Sequence, residues 1–265
     1  MSKCGREKNK KVLEFQHVTF SYKDKKNRHV VPILQRINAE VYEGEFISII
    51  GASGSGKSTL FRLITGLENQ DEGRILINGE EQESRLGKVG YMPQQDLLMP
   101  WRTIIENAAL PLELRGIRKE EARRQVHLLL KEFGLEGTEG RYPHELSGGM
   151  RQRVSFLRTS LSGSNILLLD EPFSALDAIT RLAMQEWLMA QWEKRKATIV
   201  LITHDVSEAL FLSDRIFIFQ ERPVRAFQEV TVPIDRPRSL KDLNKPAMIE
   251  WKDYLLEELR GKVIL

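Results

Sequence analysis

The stretch GASGSGKST, Gly51 to Thr59, constrains this chain more than any other. It follows the apolar run EFISII (Glu45–Ile50) and leads into the helix-forming run Ser58–Thr65. That order fits the pattern G-x-x-x-x-G-K-[ST] of a phosphate-binding loop placed between a strand and a helix. Gly54 and Gly56 let the backbone curl so that successive N–H groups point inward as an anion nest. The following helix adds its positive end. Lys57 is expected to reach the outer phosphates, and the Ser58 hydroxyl to ligate Mg²⁺. By chance the bare pattern would arise in roughly one chain in a hundred of this length, and the strand–helix context narrows it further.

A second run, ILLLDEP at Ile166–Pro172, reads as a buried strand that delivers two acids at its C-terminal edge. In open α/β sheets ligands bind at that edge. Asp170 suits the surroundings of Mg²⁺. Glu171 suits a general base for water, a role worth about 10²–10⁴ in rate.

Around these motifs the chain alternates strands and helices. Val12–Phe20 and Glu45–Ile50 read as strands joined through ILQRINAEVYEG with a turn at Glu43-Gly44, and the helix Ser58–Thr65 stops at Gly66. Arg74–Ile77 is a short strand ending in an Asn78-Gly79 turn, and Lys88–Tyr91 another. From Thr103 to Leu161 the pattern is mostly helical, with capping-box spacing at Thr103 and Glu106. There an apolar face runs through Ala122, Val126, Leu129 and Phe133, with Gly134 as its stop. Ile166–Asp170 and Thr198–Thr203 return to buried strand. Unbroken apolar strands between helices predict an α/β fold whose mostly parallel sheet is covered on both faces. Residues from about Pro93 to Leu161 form an inserted helical lobe.

The tail from Glu221 has a Pro/Arg-rich extended part. A helix follows in which Met248, Trp251, Leu255 and Leu259 share a face, with Gly261 as the stop. That face reads first as docking on the chain's own core. Domain boundaries are therefore expected at 1–220 for the nucleotide-binding domain and 221–265 for an extension.

The chain's 265 residues, 41% of them apolar, can bury a full core. A net charge of +3, from 40 basic and 37 acidic residues, gives no global field for nucleic acid. The Lys8–Lys11 and Lys23–Lys26 clusters read as solvated charge. A lone Cys4 excludes an internal disulfide. The N-terminus has no apolar signal segment, and no apolar run is long enough to span a bilayer. The chain is expected to be soluble or held at a membrane by another protein.

These motifs resemble those of ABC-transporter ATPases over roughly residues 12–220, and five more elements stand in the family's order. Tyr22 in VTFSY matches the aromatic that stacks on adenine. Gln94 in YMPQQD matches the glutamine that contacts Mg²⁺ and water and moves with the membrane partner. LSGGM at Leu146–Met150 is similar to the family signature, SALD at Ser174–Asp177 to the D-loop, and His204 in LITHD to the switch histidine. The resemblance implies a P-loop NTPase core with an N-terminal antiparallel β subdomain and the helical lobe. It also implies ATP and Mg²⁺ as ligands.

By the same resemblance the catalytic residues are Glu171, His204, Gln94 and Lys57. Nucleotide contacts come from Tyr22, Gly51, Ser53, Gly54, Ser55, Gly56, Lys57, Ser58 and Thr59. Ser147, Gly148, Gly149 and Asp177 belong to the site of a second copy paired head to tail. Ser58, Gln94 and Asp170 surround the metal. Ser147 is read as a helix N-cap, with the two glycines allowing close approach of a phosphate. Met150 stands where the family has Gln. The partners implied are a second copy, a membrane permease on the cytoplasmic face of the membrane and, indirectly, an extracytoplasmic solute-binding protein.

LSGGMRQR, LLMPWRT (Leu97–Thr103) and LPLELRG (Leu110–Gly116) are similar to importers of nitrate, sulfonate and taurine. The LLMPW run reads as an exposed site for the permease. A DNA-repair or chromosome-segregation ATPase would need sustained heptads between the phosphate loop and the signature, which lie about 90 positions apart without any. A translation-factor ATPase would carry two phosphate loops. Lipid or lipoprotein extraction, or signalling at the division site, remains a rival use of the same ATPase. A non-hydrolysing regulator would lack the carboxylate that Glu171 supplies.

Overall fold

The structure is a computed structural model that describes residues 10–23, 30–220 and 222–260. Cys4, Lys8, Lys25, Lys26 and Gly261, on which expectations were placed, lie outside the described residues. In chain order the elements are β1 (Lys11–Lys23), β2 (Val30–Tyr42), β3 (Phe46–Gly51), α1 (Lys57–Thr65), β4 (Glu72–Ile77), β5 (Glu80–Glu81) and β6 (Gly90–Met92). Then come α2 (Ile104–Leu114), α3 (Lys119–Leu130), α4 (Gly148–Ser160), β7 (Ile166–Asp170), α5 (Ala178–Arg195), β8 (Thr198–Ile202), α6 (Val206–Leu212), β9 (Arg215–Phe219), β10 (Gln228–Thr231) and α7 (Pro246–Arg260). Contacts cluster into two compact units, one of residues 1–88 with 195–265 and one of residues 89–194.

The first unit holds two sheets. An antiparallel sheet runs in the order β2-β1-β4-β5. The connection read as ILQRINAEVYEG is in fact part of a thirteen-residue strand, β2, paired antiparallel along β1. Its alternation is broken because Ile33 and Leu34 are both buried and Arg36 turns to φ 53°. The ladder with β1 shifts register in the same region. A bulge of this kind hides the period of two from the sequence. In the other sheet β3 lies parallel between β8 and β9, and β10 closes the edge antiparallel to β9. Every residue of β3 and β8 is buried, as expected for strands covered on both faces.

The tail joins this unit. Met248 and Leu255 of α7 are buried in one apolar cluster with Ile50, Val206, Leu210 and Ile218, and Trp251 and Leu259 pack against it. The face read from the sequence is therefore the one that docks.

The second unit pairs β6 and β7 in parallel and carries α2 to α5. Its core includes Phe133, Phe156 and Trp187, whose ring centroids lie 5.4 to 6.2 Å apart. α3 ends at Leu130, about a turn before the expected stop. The chain tightens over the next residues, and Gly134 turns at φ 63°. Thr103 N–H donates to the Glu106 carboxylate at 2.9 Å, one half of the expected capping box. No described helix is long and apolar enough to cross a membrane.

Candidate functional site

In the first unit the phosphate loop opens directly from buried β3. Gly56 precedes α1 with φ 109°, and a Cβ there would meet Ile33 Cγ2 at 2.6 Å, so only glycine fits. Gly54 also takes positive φ. Gly51, Ser55, Lys57 and Thr59 are buried, whereas Ser53, Gly54 and Ser58 are exposed. Lys57 Nζ donates to the carbonyls of Gly51 and Ala52, both at 2.8 Å, which holds the cation over the loop. Ser55 Oγ is buried with no hydrogen-bond partner among the described residues. A glycine loop turned at positive φ, with a fixed ammonium and an unsatisfied buried hydroxyl, fits a polyphosphate chemically.

Tyr22 lies at the end of β1, half-buried, with its hydroxyl 3.5 Å from Thr59 Oγ1 and its ring edge-on to Phe20 at 4.9 Å. The adenine-stacking candidate thus stands beside the start of α1. Arg222, which sequence reasoning missed, donates Nη1 to the Gly54 carbonyl at 3.4 Å. It sits in a Pro/Arg-rich tail with no local motif to single it out. His204 is exposed between β8 and α6. Asp205 N-caps α6, its Oδ1 accepting from Ser207 N at 2.8 Å and Glu208 N at 3.2 Å.

In the second unit β7 presents Asp170 and Glu171. Asp170 is buried and accepts from the Tyr91 hydroxyl at 3.4 Å. Glu171 has φ 45°, which a long side chain rarely adopts. Such strain persists only where surrounding structure enforces it, and it gathers at active sites. The Gln94 amide donates to Glu171 Oε2 at 3.0 Å, so the structure brings these two predicted residues into direct contact. Among the described residues no cluster of three or more His, Cys, Asp or Glu forms a metal cage. Mg²⁺ ordinarily uses one or two protein carboxylates together with phosphates and water, so this donor set suits it.

The signature and the D-loop also meet. Ser147 N-caps α4, its Oγ accepting from Met150 N at 3.3 Å. Asp177 precedes α5 and its Oδ1 accepts from Thr180 N at 3.1 Å. Hydrogen bonding to Thr180 holds the Asp177 carboxyl below its ordinary value. A Cβ on Gly149 would meet Thr180 Cγ2 at 2.9 Å. Gly149 is therefore also required by the packing of α4 on α5, a reason the sequence did not give. Thr180 links the two motifs assigned to one half-site.

A family model described as ABC transporter matches residues 34–174. The formylaminopyrimidine import ATP-binding protein ThiZ of Halalkalibacterium halodurans is 47% identical over 255 residues, 96% of this chain and 97% of that protein. The aliphatic sulfonates import ATP-binding protein SsuB of Bacillus cereus is 42% identical over 215 residues, 81% of this chain and 84% of that protein. Among solved structures, the dimeric post-hydrolysis state of the ATP-binding cassette MJ0796 bound to ADP and Pi matches with a TM-score of 0.70 at 30% identity. It covers 84% of this chain and 100% of that one. CbiO1 of Clostridium perfringens, part of the ABC transporter complex cbiONQ, shares the fold with a TM-score of 0.73 at 21% identity over 93% of this chain and 95% of its own. With identity running over nearly the whole length of a relative named as an import ATP-binding protein, this chain belongs to the ABC transporter family, as an ATP-binding subunit that hydrolyses ATP.

Proposed function

We propose that two copies of the chain pair head to tail and drive import of a small solute through a separate permease at the cytoplasmic face of the membrane. Residues 1–220 act as the ATPase domain and 221–265 as an extension of it. The Glu171–Gln94 contact at the end of β7 carries the reading, because it ties the candidate base to the residue that the family resemblance links to the permease.

In this reading the phosphate loop and Lys57 hold the β- and γ-phosphates, and Tyr22 faces the adenine. Ser58, Gln94 and Asp170 would hold Mg²⁺, which when bound neutralises phosphate charge. Glu171 takes a proton from water as its oxygen bonds to the γ-phosphorus. The bond to the bridging oxygen breaks, and that electron pair leaves with ADP. His204 steadies the γ-phosphate, while Ser147–Gly149 and Asp177 of the second copy close the site. Catalysis of this kind is mostly positioning and charge stabilisation, so a lone copy should have little of it.

For the solute, a compound of the formylaminopyrimidine class is favoured over a sulfonate. The alignment to the pyrimidine importer covers 96% of this chain and so runs into the tail, against 81% for the sulfonate relative. The solute-binding protein would deliver it to the permease outside the membrane.

The test is the solution mass of Glu171→Gln with and without ATP and Mg²⁺. Removing the base should trap the closed pair, giving a monomer-to-dimer shift that Ser147→Arg abolishes. A mass that stays monomeric with ATP, both alone and with the permease present, would refute the composite site.

A further inference from the structure

α6 begins two residues after His204, and its two ends are held by different parts of the chain. Asp205 fixes the N-terminal end from within the loop. The C-terminal end is fixed from the tail. The Arg238 guanidinium is buried, and its Nη1 donates to the carbonyl of Ser213 and, at 3.4 Å, to that of Leu210. Its Nε donates to Ile234 O at 2.6 Å. Burial lowers the group to about 10, which leaves it charged at neutral pH. Arg236 donates Nη2 to the Leu212 carbonyl and Nε to Asp214 Oδ1 at 2.6 Å. Carbonyls in a helix's last turn have no partner within the helix, and cations are favoured beside them.

The flank of α6 is covered as well. Met248 and Leu255 of α7 share one cluster with Val206, Ala209 and Leu210, and Trp251 packs on it. A seven-residue helix has little stability of its own, so this packing sets its direction. The same cluster contains Ile50, the residue before the phosphate loop.

We propose that the segment from β10 to α7 is a positioning element for the switch histidine, in which Arg238, Arg236 and α7 fix the axis of α6 and thereby the place of His204. The inference rests on the role given to His204 above. Seven residues span roughly 10 Å, so a tilt of about 10° about the C-terminal end moves the other end by roughly 2 Å. Misplacement of a catalytic group by about 1 Å can lower a rate about 10²-fold. The hydrogen bonds of Arg238 go to Leu210, Ser213 and Ile234 and not to β3, on which the phosphate loop stands, so nucleotide binding should survive its loss.

The experiment compares full-length wild type, Arg238→Met, Trp251→Ala and His204→Ala by steady-state ATP turnover and by deuterium uptake. Arg238→Met should lower kcat about tenfold with KM for ATP within about twofold. Uptake should rise over residues 203–212 and stay unchanged over 57–65. Trp251→Ala should repeat the pattern more weakly, and it carries the test if Arg238→Met does not fold. An unchanged kcat, a matching rise of uptake over 57–65, or a KM that moves with kcat would each overturn the proposal and leave the tail as a general brace. Unchanged turnover in His204→Ala would instead remove the role of His204 itself, an outcome visible in that variant alone.

Discussion

Arg151 of the signature helix and Asp96 of the segment after Gln94 form an ion pair, with Nε 3.1 Å from Oδ2. Arg158 adds to it, donating Nη2 to the Asp96 carbonyl at 2.5 Å and Nη1 to that of Leu97 at 2.9 Å. The Asp96 carboxylate also accepts from Leu98 N at 3.1 Å. The segment that follows Gln94 is thus tied to α4, whose N-terminal glycines are assigned to the other copy's nucleotide. The pair leaves side chains 36% and 30% exposed, so it contributes at most about 1 kcal/mol to stability. Its expected consequence is linkage between the two loops. Asp96→Ala should leave the thermal midpoint within a few degrees and the ATP affinity of the isolated chain unchanged. Permease-stimulated turnover, measured in vesicles containing the assembled complex, should fall about tenfold.

The backbone at Glu171 gives a second prediction. A non-glycine residue at φ 45° carries about 1 kcal/mol or more of strain. Glu171→Gly should therefore raise the denaturant midpoint while removing ATP turnover. Stability and activity would move in opposite directions, as they do where function holds strain in place. A lowered midpoint would mean that the lost contacts of the Glu171 side chain and the chain entropy of glycine outweigh the strain.

Trp101 is 73% exposed and Leu97 60%, and Leu97 also takes positive φ at 44°. Two large apolar side chains facing solvent, one on a strained backbone, are what a permease-docking surface here would present. Trp101→Glu should abolish co-purification with the permease and leave ATP affinity unchanged. Normal assembly of that variant would move the permease site elsewhere.

Legibility followed locality. The phosphate loop, the β7 carboxylates, the Gly66 stop and the Asn78-Gly79 turn each depend on a few adjacent residues, so their chemistry was on view in the sequence. β2 was hidden because Arg36 and the paired double burial of Ile33 and Leu34 erase its alternation. β9 and α5 carry no motif of their own, so nothing in the sequence singles them out. Arg222 and Arg238 act on carbonyls 168 and 25 positions away, a relation no spacing rule contains. The sequence accounts for Gly149 by close approach of a ligand, whereas its contact with Thr180 depends on how α4 packs on α5.

The start of α2 gives a prediction in pH. Glu106 accepts from Thr103 N at 2.9 Å and pairs with Arg123 at 2.7 Å. The backbone hydrogen bond from Thr103 is the main reason its carboxyl lies below the ordinary 4.5. Between the ordinary and the lowered value the unfolded chain binds the proton more readily than the folded one, so stability rises with pH there. The contribution is present in full above 4.5 and is lost as pH falls through the folded value. Glu106→Ala should therefore lower the urea midpoint at pH 7 and approach wild type as pH falls below the lowered folded value. A gap between the two proteins that stays constant over that range would mean that Glu106 acts through its packing and not through its charge.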